Sequence, residues 1–321
     1  MDKLFRAVAE RGNVCVGLDT AESYVPEKER RSSPAETVLA YNKVIIDSTI
    51  DVAACYKVQI AYYEEMGIRG MQSYAATLKY LREKNALVIA DVKRGDIADT
   101  ASRYARSHFE GDFEADFVTL TPYLGMDSVE PWLEWADKKG KGAFVLMRTS
   151  NKGRKDFQEL RLGEAPGKSA GTGRRLYNVV GEKLSELAAA RKGMYGYGAF
   201  GAVVGADPQS PEEREEAASI RAEYPALFFL IPGYGAQGGA ASDAVLLLNK
   251  GNGGVVNASR SILRAWQSAA GSFPSPEKVE TEKVETEKIE KADNAFAAQA
   301  ARKAAIEMRD AILKAAGIVK T

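Results

Sequence analysis

Histidine is nearly missing from this 321-residue chain; His108 is the single one. It sits in a helical-looking stretch, TASRYARSHFEG, and reads as a surface or helix-end residue. With His108 outside the chemistry, histidine triads and multi-histidine metal sites drop out. Acid–base work then falls to Lys, Asp, Glu or Tyr. Cysteine is scarce too: Cys15 and Cys55 are too few for a disulfide framework, and no CxxC pair suggests a metal site. Both lie in apolar runs and are expected as buried, reduced thiols. No run approaches the length of a membrane span, and the first residues, MDKLFRAVAERGN, lack the apolar stretch of a signal peptide. A cytoplasmic protein without a membrane partner is expected. Net charge is missing as well, since 44 Lys and Arg balance 44 Asp and Glu. Nothing general therefore favours a nucleic-acid partner, and an anionic small substrate has to be met by local charges.

What the chain does have is apolar content, 45 % of its residues, enough for one large core or two small ones. Short runs rich in Val, Ile, Leu and Phe recur along the first 257 residues: NVCVGL (13–18), AACYKV (53–58), ALVIADV (86–92), DFVTLT (116–121), GAFVLM (142–147), GAVVGA (201–206), ALFFLI (226–231) and GGVVN (253–257). They lack strict alternation, as strands buried on both faces do. Helical patterns fill the gaps. Pro34 opens one with AETVLAYNKVIIDST; YYEEMGIRGMQSYAATLKYLREK, DSVEPWLEWADKK, GRRLYNVVGEKLSELAAARK, PEEREEAASIRAEY and ASDAVLLLNK follow, with IADTASRYARS and SRSILRAWQSA. Strands and helices alternating in this way predict a (β/α)8 TIM barrel over residues 1–272. A doubly wound open sheet is the alternative, but no G-x-G-x-x-G follows the first strand.

Two segments stand apart. The stretch 151–173, charged and glycine-containing, follows the fifth strand; it is either a mobile lid or a passive insertion. Residues 273–291 contain the near-repeat EKVETEKVETEKIEK, whose period of five matches no stable helical face; a charged linker or frayed helix is expected. Residues 292–321 are Ala-rich and predict an additional C-terminal helix. Phe296, Ile306, Met308, Ile312 and Leu313 give it a partial apolar face for docking on the barrel or a partner chain.

The chemistry concentrates in DVKRGDIADT, Asp91 to Thr100. Asp91 and Lys93 are two apart in a predicted strand, so alternation turns both toward the same face. Asp96 follows in the next turn. At the C-terminal end of a barrel strand that face is the mouth, where barrel active sites lie. Taken alone, the pattern reads more readily as a structural ion-pair cluster; its place at a strand end weakens that reading. Farther along, IPGYGAQGG and NASRSI place a glycine-rich loop after strand seven and a helix start after strand eight. That is the usual barrel phosphate site, with Gln237 and Arg260 as its side chains.

DVKRGDIADT resembles the D-x-K-x-x-D-I-x-x-T signature of orotidine 5′-phosphate decarboxylases. Over residues 13–265 the other strand ends agree, and the long segments resemble the larger, mycobacterial-type bacterial branch. The resemblance implies that Asp19 in VGLD contacts a ribose and that Lys57 in YKVQ is the second-strand lysine. It places Thr121 in TPYLG near the substrate, Ser150 in RTSN on the pyrimidine ring, and Gln237 and Arg260 on the phosphate. It implies conversion of orotidine 5′-phosphate to UMP and CO2 in de novo pyrimidine biosynthesis, with no cofactor and no metal. It also implies a homodimer in which Asp96 and Thr100 reach the neighbouring subunit's site.

On that substrate, loss of CO2 leaves carbanion character on a ring carbon without a built-in electron sink. Lys93 is then the general acid that protonates it, and Asp91 faces the departing carboxylate. One alternative is a Mg-dependent enzyme of the keto-gulonate-phosphate decarboxylase or hexulose-phosphate synthase kind. A Schiff-base aldolase using Lys57 or Lys93 is disfavoured, because flanking carboxylates keep a lysine protonated. A non-catalytic phosphate-ligand-binding barrel is the non-enzyme reading.

Overall fold

The computed structural model describes residues 1–162, 174–206, 208–235, 239–269 and 286–318. Eight strands close into a barrel in sequence order, β1 through β8, with every neighbouring pair parallel. They are β1 Val14–Gly17, β2 Cys55–Gln59, β3 Val88–Arg94, β4 Phe117–Leu120, β5 Gly142–Arg148, β6 Phe200–Val204, β7 Phe229–Ile231 and β8 Gly254–Ala258. Every expected apolar run carries a strand, and the open-sheet alternative is set aside by the pairing of β1 with β8. Cys15 and Cys55 pair in register on β1 and β2, both buried and unbridged.

The helices follow their local signals where those are strong. Ser33 caps the helix Pro34–Thr49 by accepting from the Glu36 amide, and Ser210 caps Pro211–Glu223 by accepting from the Glu213 amide. Each has proline at its first position, where a missing N–H costs nothing. Elsewhere the structure departs from expectation. The run beginning YYEEM divides into Ala61–Glu64 and Gly67–Glu83. Gly67, at φ +65°, supplies the left-handed backbone that separates them. ASDAVLLLNK shrinks to the helix Ala241–Ala244 and a single 3₁₀ turn, Val245–Leu247.

The C-terminal helix runs Thr286–Ala315, so it begins inside the segment expected to be linker and ends before residue 321. It docks on the barrel's helix layer, against Pro34–Thr49. Met308, Ile312 and Leu313 are buried, as the apolar pattern predicts, but so are Ala297, Ala301 and Ala305. That alanine row at spacing four lets the two backbones approach closely. Arg302 anchors the seam, donating to both carboxylate oxygens of Asp51 at 2.5 and 2.7 Å and to the Ser48 carbonyl at 3.0 Å. Among the described residues, no helix is long and apolar enough to cross a membrane.

His108 corrects one expectation. It does end a helix, Ala98–Phe109, but it is buried, not on the surface. Its Nε2 accepts from Arg94 Nε at 3.3 Å, and its ring lies near Phe113 and Trp132. Burial first, and the Arg94 charge second, push the imidazole down from 6.5 to about 4. The unfolded chain therefore takes up this proton before the folded one. Its contribution is complete above the unfolded value and is lost as the pH falls toward the folded one, to a limit of about 3 kcal/mol. His108→Gln keeps an acceptor for Arg94 and removes the titration. Urea unfolding at pH 7 and pH 4.5 is expected to show a smaller acid loss in the variant, by about 2 kcal/mol. An identical loss in both proteins would show that His108 does not govern the acid limb.

Candidate active site

The C-terminal ends of the strands converge on a cleft of two lobes that share Lys57, Asp91, Pro232 and Asn257. One lobe, about 290 Å³, is lined further by Asp19, Tyr24, Gln59, Tyr62, Gly233, Tyr234, Ser259 and Arg260. The other, about 370 Å³, is lined by Lys93, Thr119, Leu146, Thr149, Ser150, Asn151, Gln158, Val203 and Leu230. The first is strongly polar. The second has an aliphatic floor under a polar rim, the form expected of a pocket for a flat, partly polar ring.

At the junction, Lys57 projects from β2 between two carboxylates. Its Nζ is 2.9 Å from Asp19 Oδ1 and 2.9 Å from Asp91 Oδ2. Lys57 and Asp91 are each only 5 % exposed, so neither charge is stabilised by bulk water. Burial alone would discharge Lys57; Asp19 and Asp91 outweigh it and hold the ammonium above its ordinary value. Burial would likewise raise Asp91, but Lys57 and Lys93 outweigh it and keep the carboxyl well below the usual range.

Asp91 is the most heavily served group in the cleft. Its Oδ1 accepts from Lys93 Nζ at 2.7 Å and from Thr119 Oγ1 at 2.9 Å. Its Oδ2 faces Lys57 and accepts from Gln59 Nε2 at 3.0 Å. Asp19 is fixed on its other oxygen by Ser259 Oγ at 2.8 Å. Lys93, by contrast, is nearly half exposed and opens into the second lobe. Its backbone is left-handed, φ +42°, and the β3–β4 register shifts between Ala90 and Arg94. Strand alternation is thus interrupted between Asp91 and Lys93, and the two meet across a bulge.

The expected site residues divide three ways. Lys93, Asp91, Lys57, Asp19, Ser150 and Arg260 line the cleft. Thr121, Asp96 and Thr100 do not. The Thr121 methyl packs where a side chain at Gly95 would stand. Asp96 caps the Ile97 amide at 2.9 Å, and Thr100 is exposed on the helix Ala98–Phe109. Gln237 lies outside the described residues. Residues 163–173 of the long loop do too; before them, Gln158 turns back to accept from the Thr149 amide at 2.8 Å. Thr119, Gln59, Ser259 and Tyr24 went unread in the sequence. Gln59 was within reach, since it stands to Lys57 on β2 as Lys93 stands to Asp91 on β3.

Residues 12–271 match the profile of the orotidine 5′-phosphate decarboxylase / HUMPS family. The chain belongs to that family. It is 50 % identical over 316 residues to the orotidine 5′-phosphate decarboxylase of Clostridium perfringens, covering 98 % of each chain. The enzyme of that name from Clostridium kluyveri is 51 % identical over 275 residues, 85 % of this chain and 90 % of its own. Among solved structures, Leishmania donovani OMP decarboxylase superposes with a TM-score of 0.63 at 29 % identity, over 92 % of this chain and 97 % of that one. The family match spans all eight strands, so every cleft residue named above lies inside it.

The ion group supplies its own check. Lys57→Met removes one charge, leaving Asp19 without the Lys57 ion pair and Asp91 with Lys93 on its other oxygen. Removing one partner of a buried pair typically costs about 3–5 kcal/mol. That loss is expected at pH 7 in urea unfolding; a change below about 1 kcal/mol would mean the pair does not hold the barrel mouth together.

Proposed function

We propose that the cleft decarboxylates orotidine 5′-phosphate to UMP and CO2, a step of de novo pyrimidine biosynthesis, in the cytoplasm. The observation that carries this reading is Lys93 Nζ at 2.7 Å from Asp91 Oδ1, in the ring-sized lobe beside a second lobe that ends at Arg260. A nucleotide with a ring carboxylate needs that combination: a cation for the phosphate at one end, and a paired acid and carboxylate at the other.

The roles follow from charge. Arg260, at the start of the short helix Arg260–Leu263, takes the phosphate together with Gln237 and the loop bearing Gly233. Asp19, with Lys57, takes the ribose hydroxyls, and Ser150 takes the pyrimidine edge. The substrate carboxylate then lies against Asp91. Two unit charges ~4 Å apart repel by about 4 kcal/mol at an effective dielectric of 20, and the repulsion disappears as neutral CO2 leaves. Binding energy from the remote phosphate offsets that placement. The electron pair left on the ring carbon takes a proton from the Lys93 ammonium.

Asp96 and Thr100 reach the neighbouring subunit's site across a homodimer interface. The supporting observation is surface chemistry. Ile97 is 49 % exposed beside Asp96, and Tyr123 and Leu124, on the turn after β4, are 78 % and 52 % exposed. Apolar side chains grouped on adjoining turns mark a surface that a partner covers. Neither nucleic acid nor membrane is a partner on this reading, and no cofactor or metal takes part. The sugar-phosphate reading would need the Asp19 and Asp91 carboxylates for a divalent cation. Both already face Lys57, which favours the nucleotide.

The experiment is a metal-free assay of the protein with orotidine 5′-phosphate, followed by pyrimidine absorbance. Conversion that persists in chelator is expected; activity that needs Mg²⁺ and a sugar phosphate would replace this reading. Lys93→Ala should fold and still bind UMP while turnover falls by about 10³-fold or more, the scale of a lost general acid. Substantial residual turnover would remove Lys93 from the donor role.

A further inference from the structure

The hydroxyl of Thr119 occupies a position that no motif assigns. Thr119 lies on β4, 1 % exposed, beneath the bulge of β3. Between Ala90 and Arg94 the β3–β4 ladder loses its register, so the amides in between need other acceptors. Two of them, Val92 N and Lys93 N, donate to the same Thr119 Oγ1 at 3.0 and 2.9 Å. A hydroxyl has two acceptor positions and one proton. With both acceptor positions filled by N–H groups, the proton has one direction left, Asp91 Oδ1 at 2.9 Å.

One side chain thus satisfies the bulge and the carboxylate together. The bulge matters because it is where Lys93 takes its left-handed backbone, φ +42°. That conformation is costly for a residue with a Cβ and persists only where neighbours impose it. Two hydrogen bonds into one buried oxygen impose it here. The outcome is the 2.7 Å contact between Lys93 Nζ and Asp91 Oδ1 across an interrupted strand.

We propose that Thr119 is a positioning residue for the decarboxylation: its saturated hydroxyl locks the β3 bulge and orients Asp91, and so aims the Lys93 ammonium. The inference rests on the roles given above to Lys93 and Asp91. Among the described residues the Thr119 hydroxyl bonds to the two β3 amides and to Asp91 and not to Arg260, so its loss should fall mainly on turnover rather than on phosphate binding.

The test uses the full-length protein. Thr119→Val keeps the shape and removes the hydroxyl; Thr119→Ser keeps the hydroxyl and removes the methyl. In Thr119→Val, kcat should fall about ten- to hundredfold, the worth of a hydrogen bond to a charged group, with KM and UMP affinity within about twofold of the parent. Thr119→Ser should recover most of kcat. Full turnover in Thr119→Val, or equal losses in the two variants, would overturn the inference. If Thr119→Val does not fold, amide hydrogen exchange on the parent protein decides. Val92 and Lys93 amides exchanging slowly, like ladder amides, support it, and exchange at open-loop rates overturns it. Lys93→Ala assayed in parallel separates the two failures. An active Lys93→Ala defeats the donor role itself; full turnover in Thr119→Val beside an inactive Lys93→Ala defeats only the role of Thr119.

Discussion

Lys57 carries its ammonium to a place at the mouth of the barrel where water does not follow, and Asp19 and Asp91 meet it there at 2.9 Å each. A buried cation such as Lys57 would on its own lose its proton, and a buried carboxylate such as Asp91 would on its own gain one. Together, on the neighbouring strands β2 and β3, Lys57 and Asp91 hold each other charged. The rest of the cleft depends on that arrangement. With Oδ2 committed to Lys57 and Gln59, Asp91 turns Oδ1 toward Lys93 and Thr119. Asp19, committed on Oδ1, is steadied through Oδ2 by Ser259 at the end of β8. Hydrogen bonds and ion pairs thus run from β8 through β1, β2 and β3 to β4. A closed parallel barrel makes this possible, because it places consecutive strand ends side by side with their C-termini on one face.

Within that frame, rigidity and freedom are distributed unevenly. Lys57 and Asp91 are buried and multiply bonded, whereas Lys93 is nearly half exposed and holds one ion pair, to Asp91. A residue that delivers a proton has to reach the reacting atom and then exchange with solvent, and a residue that only fixes a field does not. The left-handed backbone at Lys93 fits this division. The strain is local and is held by neighbours that do not themselves move, which is how functional sites commonly keep costly conformations.

Much of the fold was legible because its signals are local. Apolar runs separated by capped amphipathic segments specify strands and helices in order, and their number specifies closure. Lys93, Asp91, Lys57, Asp19, Ser150 and Arg260 were legible because each sits at a strand end, which the barrel turns toward the mouth. Thr119 was not, because its role arises from a register shift between β3 and β4, and a register shift has no signature in either strand alone. His108 was placed at a helix end, as found, but its burial was missed for a related reason. A histidine in the last turn of a charged helix looks solvated until Arg94, from the neighbouring strand, is seen to reach it. The row Ala297, Ala301, Ala305 was passed over in favour of larger side chains, although small residues are what permit close helix contact. Each miss involves a partner distant in sequence.

The charge balance of the whole chain recurs at the site in miniature. Asp19, Asp91, Lys57 and Lys93 sum to zero, so the quartet exerts little long-range pull on an anion. On the proposed reaction, a phosphorylated substrate carrying a further carboxylate would be attracted by Arg260, at the far side of the lobe that Asp19, Lys57 and Asp91 also line. That separation has a consequence for the proposed reaction. If Lys57 and Lys93 were unpaired they would bind the substrate carboxylate tightly and stabilise the ground state, which does not raise the rate. Because Asp19 and Asp91 already balance them, the carboxylate gains little on arrival, and the Lys93 ammonium becomes most favourable once negative charge has moved onto the ring carbon. On the proposed reaction, charge neutrality of the quartet would let binding be set at the phosphate and leave the paired lysine and aspartate to act on the transition state.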